Sequence, residues 1–348
     1  MNHSSSEGMA GKLEGVLLGT ALGDALALPA EGLSARVVAR RFGRLERFRL
    51  FGRTGFVSDD TEQSALVAEC LLRFPEQPDR CAAAFRRCLA AWIARLPWGV
   101  GRATLTAGVR CLLRLPRTGV QSAGNGAAMR AVIIGTFFCD HAGQRRAFGE
   151  ALAETTHRDP RAIAGALFVA ELAAACTQND TTPGEAFAAA RATVHDPSLA
   201  AALDRADALA RQAAAPLVAG EQLGVSGFVL HTVPFAAYAF LRHRGDVLTT
   251  LADTSAVGGD TDSIGAILGG WLGALHGAGA LPHALVDRLH DGPFGATHLR
   301  ALAAALDAVR RGETPSLPRY STLAALTRNL SLYPVVLTHG FRRLLPPY

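Results

Sequence analysis

The sequence predicts an all-α fold built as one large helical domain, and three observations predict it. In nearly every stretch between turn signals the apolar residues recur with the period of an amphipathic helix rather than alternating as in a strand. Alanine and leucine dominate these stretches and runs of β-branched residues are scarce, which favours helix at the level of intrinsic propensity. Proline falls where a helix tolerates it, in the expected first turns, at Pro160, Pro183 and Pro282.

Along the chain, the polar opening MNHSSSEGMA predicts disorder over residues 1–11. Helical periodicity begins at 12–27 and returns at 60–74, where DTEQSALVAECLLRF carries it, and then at 79–95 and 101–114. The segment RRFGRLERFRLFGR at 40–53 reads as a solvated connection. Further helices are predicted over 125–139, 144–156, 160–177, 184–194 and 198–213, and then over 245–255, 262–276, 282–290 and 296–311. From Ile264 to Leu281 the chain is apolar for nearly the length of a membrane span, but its glycines and His276 suit a core helix packed closely on a neighbour. Gly-rich loops punctuate the helices: GRTGF before the first acidic cluster, PWGVG at 97–101, SAGNG at 122–126 and VGG at 257–259. Each either caps the preceding helix or presents backbone N–H groups to a phosphate at the mouth of the next. No repeat or compositional break divides the domain, set at 12–312. The tail, 313–348, with Pro315, Pro318, Pro334, Pro346 and Pro347, is expected to be an irregular extension.

At 348 residues and 49% hydrophobic, the chain can bury a large core. Its net charge is +5, and Lys12 is its only lysine. A nucleic-acid surface would need clustered arginines with interleaved aromatics, and only 40–53 approaches that pattern. Neither nucleic acid nor membrane is therefore an expected partner. The six cysteines, Cys70, Cys81, Cys88, Cys111, Cys139 and Cys176, lie mostly in apolar helical contexts without a C-x-x-C pair or a recognisable signal peptide, and read as buried thiols of a cytoplasmic protein.

The chemistry concentrates in two acidic clusters about two hundred residues apart, Ser58-Asp59-Asp60-Thr61 and Gly258-Gly259-Asp260-Thr261-Asp262-Ser263. Each sets carboxylates and a hydroxyl at the mouth of a predicted helix, and two readings compete. Asp or Ser before an apolar run is the ordinary N-cap, and Asp59 with Glu62 has capping-box spacing. One helix needs only one cap, however, and adjacent carboxylates repel unless a cation compensates them. A donor set of oxygens, without Cys or His, selects a hard divalent cation such as Mg²⁺ or Mn²⁺ over zinc. Brought together, the clusters would form one metal site suited to hydrolysis or phosphate chemistry and not to redox.

Four segments, taken in order, resemble the ADP-ribosylglycohydrolase family, which includes the bacterial dinitrogenase-reductase-activating glycohydrolase and the ADP-ribosyl-acceptor hydrolases. GVLLGTALGDALALPAEG resembles its opening helix and FVSDDTEQSALVAECLL its first metal motif. SAGNGAAMRAVIIG resembles its substrate-loop helix and VGGDTDSIGAILGGWLGALHG its second metal motif. The resemblance spans roughly residues 12–310. It implies a compact all-α domain with two Mg²⁺ or Mn²⁺ ions, held by Ser58, Asp59 and Asp60 on one side and by Asp260, Asp262 and Ser263 on the other. It further implies hydrolysis of the bond joining ADP-ribose to a protein side chain or small molecule, with ADP-ribose as product.

Glu31 falls where some relatives place a mobile glutamate over the metals, so Glu31, Asp60 and Asp262 are the acids expected to serve catalysis. Gly99, Gly101, Ser122, Gly124, Asn125 and Gly126 are the expected substrate-loop residues, their backbones cradling the diphosphate. His157, in TTHRDP, resembles a Thr-His motif whose histidine lies against the substrate. Two departures stand out: Ala27 replaces a common glycine, and Ala123 stands where some relatives carry a ring beside the loop. Without that ring a related ribosyl or nucleotide substrate remains an alternative, as does a relative that binds ADP-ribose without turnover.

Overall fold

The computed structural model describes residues 8–342, and their helices run in chain order from α1 (Met9–Ala27), α2 (Ala35–Arg41), α3 (Asp59–Arg73), α4 (Pro78–Ile93), α5 (Arg102–Leu112) and α6 (Val132–Phe137) to α7 (Ala142–Glu154), α8 (Pro160–Cys176) and α9 (Pro183–Arg191). There follow α10 (Pro197–Arg211), α11 (Pro216–Leu223), α12 (Val229–Leu241), α13 (Val247–Ser255), α14 (Thr261–His276), α15 (His283–Val286), α16 (Ala296–Arg310) and α17 (Thr322–Arg342). Among the described residues extended pairing is limited to isolated bridges, so the fold is all-α as the periodicity predicts.

The centre is an antiparallel pair, α1 and α14. Gly15, Gly19 and Gly23 of α1 face Gly273, Gly269 and Gly265 of α14, and a methyl group built on any of them would lie 1.9–2.5 Å from the facing carbonyl oxygen. The two backbones therefore touch, an approach that only glycine permits. This contact fixes the ends: Asp24, near the C-terminus of α1, stands beside the N-terminus of α14, where Thr261 Oγ1 donates to Ala27 O at 3.0 Å. The α1 segment is long and apolar enough to cross a membrane by length and composition, yet 94% of that window is buried inside the protein. Around the pair pack α3, α8, α12 and α16, with Trp271 of α14 fully buried and donating through Nε1 to Val169 O at 3.0 Å.

Several elements depart from the sequence expectation. Residues 9–11, expected to be disordered, begin α1, whereas 1–7 lie outside the described residues. The helix predicted at 125–139 is broken into a 3-10 turn, Asn125–Ala127, and α6, because Asn125 N donates to Gly227 O and its side chain is held by Thr232 and Asp260. α12 went unpredicted because it is apolar on nearly every face and carries Pro234, so no amphipathic stripe marks it. The tail is not irregular: Thr322–Arg342 is helical through Pro334, held by the buried side chains of Arg328, Asn329 and Leu332. Pro346 and Pro347 lie outside the described residues. The six cysteines are free thiols, four of them buried and Cys88 and Cys139 half-buried.

Candidate active site

The two acidic clusters meet. α3 and α14 present their N-termini to one cavity of about 910 Å³, lined by Asp59 and Asp60 from the first cluster and by Asp260, Asp262 and Ser263 from the second. Neither pair of acids is used as a helix cap. Ser58 caps α3, its hydroxyl accepting from Asp60 N at 3.3 Å, and Asp24 reaches across from α1 to accept from Ser58 N at 2.9 Å and Thr61 Oγ1 at 2.5 Å. Asp260 occupies the N-cap position of α14 but makes no side-chain cap bond; Asn125 Nδ2 donates to it instead. At α3 the capping is thus done by Ser58 and Asp24, whereas at α14 Asp262 Oδ1 accepts from Ser263 N at 3.0 Å; all four aspartates line the cavity.

The Gly258-Gly259 pair positions the second cluster. Both residues have positive φ, 72° and 82°, and a methyl on either would lie about 2 Å from a carbonyl oxygen, that of Leu33 or of Val225. Through them Gly32 N donates to Gly259 O at 2.7 Å and Asp260 N to Val225 O at 2.7 Å. The Glu31 turn is thereby stitched to the second motif, and oxygens of Glu31, Asp260 and Asp262 lie within 4.8 Å of one another.

This crowding shows in the acidities. Burial, then the neighbouring Asp262 charge, pushes Asp59 and Asp60 well above the carboxylate range. Asp260 is pushed up to about 8 by burial and then Asp262, against the hydrogen bond from Asn125. Asp24 rises to about 7, chiefly by burial and against the bond from Thr61. Asp24 Oδ1 and Asp60 Oδ1 are buried without a hydrogen-bond partner. Carboxylates so placed cannot all ionise without a compensating cation, and the donors are hard oxygens, so the residues fit Mg²⁺ or Mn²⁺.

Much of the remaining lining comes from the two Gly-rich loops, and Leu28, Leu50, Trp98 and Val336 add an apolar stretch. Gly99, Gly101, Ser122, Gly124, Asn125, Gly126, Glu31 and His157 all line the cavity; Ser58 does not, its hydroxyl donating to Asp60 Oδ2 at 3.0 Å. Gly99, at φ 80°, faces Asp59, and a methyl there would be 3.2 Å from Oδ1.

Behind this surface Arg130, fully buried, ties the parts together. It donates to Gln63 Oε1 at 2.8 Å, to Gly126 O at 2.6 Å and to Thr156 Oγ1 at 2.7 Å, while Gln63 Nε2 donates to Asp59 Oδ2 at 2.9 Å. Thr156 Oγ1 lies 2.8 Å from His157 Nδ1 and 3.5 Å from Ala153 O. His157 Nδ1 is thus engaged with the hydroxyl that Arg130 holds, and Nε2 is the ring atom beside Gly124. Burial and then Arg130 lower this imidazole to about 3, so it is neutral.

Asp24, Gln63 and Arg130 are not marked as site residues by the sequence, nor are Ser226, Gly227 and His231 of the cavity wall. Asp24 and Arg130 had a signal: single charges inside apolar helical runs, LLGTALGDALAL and GAAMRAVIIG. The 224–231 loop had none.

The family model for ADP-ribosylglycohydrolase matches residues 5–316. The chain is similar to an "Uncharacterized protein" of Archaeoglobus fulgidus, 31% identical over 293 residues that cover 81% of this chain and 93% of that one. It is also similar to the "Uncharacterized protein YegU" of Escherichia coli, 29% identical over 311 residues, covering 80% and 91%. Among solved structures it resembles an "ADP-ribosylglycohydrolase-related protein complex" with TM-score 0.67 and 26% identity, over 86% of this chain and 97% of that one.

Proposed function

Because the chain belongs to the ADP-ribosylglycohydrolase family, we propose that it is a divalent-metal-dependent hydrolase that cleaves the glycosidic bond between ADP-ribose and an acceptor, a protein side chain or a small molecule, and so reverses ADP-ribosylation. Family and fold support a glycohydrolase-type enzyme. The observation that carries the finer reading is the convergence of Asp59, Asp60, Asp260, Asp262 and Glu31 on one cavity with two Gly-rich loops and His157.

Asp59, Asp60, Asp260, Asp262 and Ser263, with Ser58 through the hydroxyl it shares with Asp60 Oδ2, would hold the two ions. Bound there, Mg²⁺ or Mn²⁺ would supply Lewis acidity and a template for the ribose hydroxyls. Glycosidic cleavage develops positive charge on the ribose, and the carboxylates favour that charge electrostatically. Glu31, beside Asp260 and Asp262 and outside the buried core, is the acid suited to take a proton from the attacking water. Asp60 and Asp262, immobilised in the first turns of α3 and α14, orient the reacting sugar. Backbone N–H groups at 99–101 and 124–126 would donate to the diphosphate, with His157 Nε2 beside Gly124.

The test is release of ADP-ribose, read by mass, from arginine-linked and serine-linked ADP-ribosyl peptides with Mg²⁺ or Mn²⁺ present. Release from either supports the reading; release from neither, with ADP-ribose itself failing to bind, overturns it. Ala123 favours a second reading, a related ribosyl compound without a stacked adenine, which would be supported by ribose 5-phosphate binding where ADP-ribose does not.

A further inference from the structure

α17 lies wholly beyond the family match, which ends at residue 316, yet it is tied into the helix that carries the first acidic cluster. Arg328 forms a buried ion pair with Glu62 of α3, and Glu62 also accepts from Trp92 Nε1 at 2.5 Å. Arg328 donates to Pro293 O at 2.8 Å, and the adjacent Asn329 donates to Arg95 O at 2.9 Å. Separating such a pair would leave each charge buried without compensation, so the helix is fixed in place at this point.

From that anchor Arg328, Leu332, Val336 and Gly340, each four residues on, follow one side of α17 toward the cavity. Leu332 packs with Leu28 and Trp98, and Val336 and Gly340 line the cavity together with Leu28, Leu50 and Trp98. This wall is apolar, and it adjoins the acidic centre: Leu28 precedes the Glu31 turn, and Trp98 precedes Gly99, the residue facing Asp59. The wall formed by Gly124, Asn125, Gly126 and His157 supplies polar donors suited to phosphate. A ribose held at the acids has its diphosphate drawn to those donors, which leaves the apolar wall to the group attached at C1″.

We infer that the inner face of α17 forms an acceptor subsite, and that the group released from ADP-ribose is uncharged and carries an apolar or aromatic face. The inference rests on the glycohydrolase reading and deepens it by naming the acceptor's chemical class.

Three ADP-ribosides test it on the full-length protein with Mg²⁺: a benzyl and a methyl O-glycoside, which share an alkoxide leaving group, and an arginine-linked compound. Calorimetric binding of ADP-ribose is measured in parallel. The benzyl glycoside is expected to exceed the methyl one by about tenfold in kcat/KM, mainly through KM, the scale of a filled apolar pocket, and to exceed the arginine-linked compound as well. Gly340→Leu should erase the benzyl preference and leave ADP-ribose affinity within about twofold. The substitution suits the fold, because a Cβ built on Gly340 meets nothing within 4 Å and leucine favours helix over glycine.

Equal kcat/KM for benzyl and methyl, a preference for the arginine-linked compound, or a benzyl preference that survives Gly340→Leu overturns the inference. Loss of ADP-ribose affinity in Gly340→Leu would assign the wall to the adenine end and overturn it too. If ADP-ribose does not bind the unaltered protein, the glycohydrolase reading fails and takes this inference with it, an outcome distinct from binding without acceptor preference.

Discussion

Gly269→Ala sets two opposed effects against each other. In α14 the new methyl would stand 2.1 Å from Gly19 O and 2.9 Å from its carbonyl carbon, where an unstrained C···O contact is about 3.3 Å. Both partners are helix backbone, so no rotamer change relieves the clash and the helices must part by about 1 Å. Overpacking of this kind costs about 3 kcal/mol, the upper part of its usual range, whereas alanine gains about 1 kcal/mol over glycine in helix propensity. The net loss is about 2 kcal/mol, a fall of a few degrees in Tm for a chain of this size. Thermal unfolding followed by circular dichroism measures it, with Gly143→Ala as control: Gly143, in α7, has nothing within 4 Å of a new methyl, and the change there should gain about 0.4–1 kcal/mol. Because the same helix contact holds Asp24 beside α14, Gly269→Ala should also shrink the rise in Tm expected on adding Mg²⁺. If Gly269→Ala stabilises the protein as Gly143→Ala does, the close-packed glycine row is refuted.

Thr156→Val removes the hydroxyl that engages His157 Nδ1; ¹⁵N imidazole shifts should report a single tautomer in the unaltered protein and a mixture in the variant, and a mixture in the unaltered protein would refute the network. Glu31→Gln should keep Mg²⁺ affinity but lose about 10² or more in rate, the scale of general acid–base assistance, and normal turnover would remove Glu31 from catalysis. Glu69, buried 4.0 Å from His298, is raised by burial from 4.5 to about 7, against the pull of Arg73 and Arg95. Folded, it keeps a proton that the unfolded chain has lost between those values, so stability falls as pH rises through that window. Glu69→Gln should therefore melt higher than the unaltered protein at pH 8 and show little difference at pH 4; a difference that grows toward acid would contradict the assignment.

Legibility in the sequence followed the locality of the signal. α8 and α10 were readable because a capping aspartate and a proline start mark each within a turn of chain, and α3 because Ser58 and the acids of its first turn precede an apolar run. α12 was not, because a helix buried on nearly all sides has no polar face to set the period. The helix of the tail is hidden because an internal proline such as Pro334 ordinarily breaks a helix, whereas the packing of Leu332 and the Arg328–Glu62 pair, each with partners hundreds of residues away, sustain α17 through it. At the site, Asp59, Asp60, Asp260 and Asp262 announced themselves as more acids than two caps require. That Ser58 and Asp24 take the capping duty, and that Arg130 joins Asp59 to His157, depends on contacts across the fold that no local spacing encodes.

The most direct measurement is a calorimetric titration of Mn²⁺ into the unaltered protein, Asp60→Asn and Asp262→Asn, with the melting temperature of each metal-free protein alongside. If the two clusters form one centre, the unaltered protein binds about two ions, and each substitution, made on a different cluster, removes or severely weakens that binding. The metal-free variants should melt no lower than the unaltered protein, since each has shed one of several mutually repelling carboxylates. Absence of Mn²⁺ binding, or a variant of either cluster that keeps the original stoichiometry and affinity, would contradict a shared metal centre.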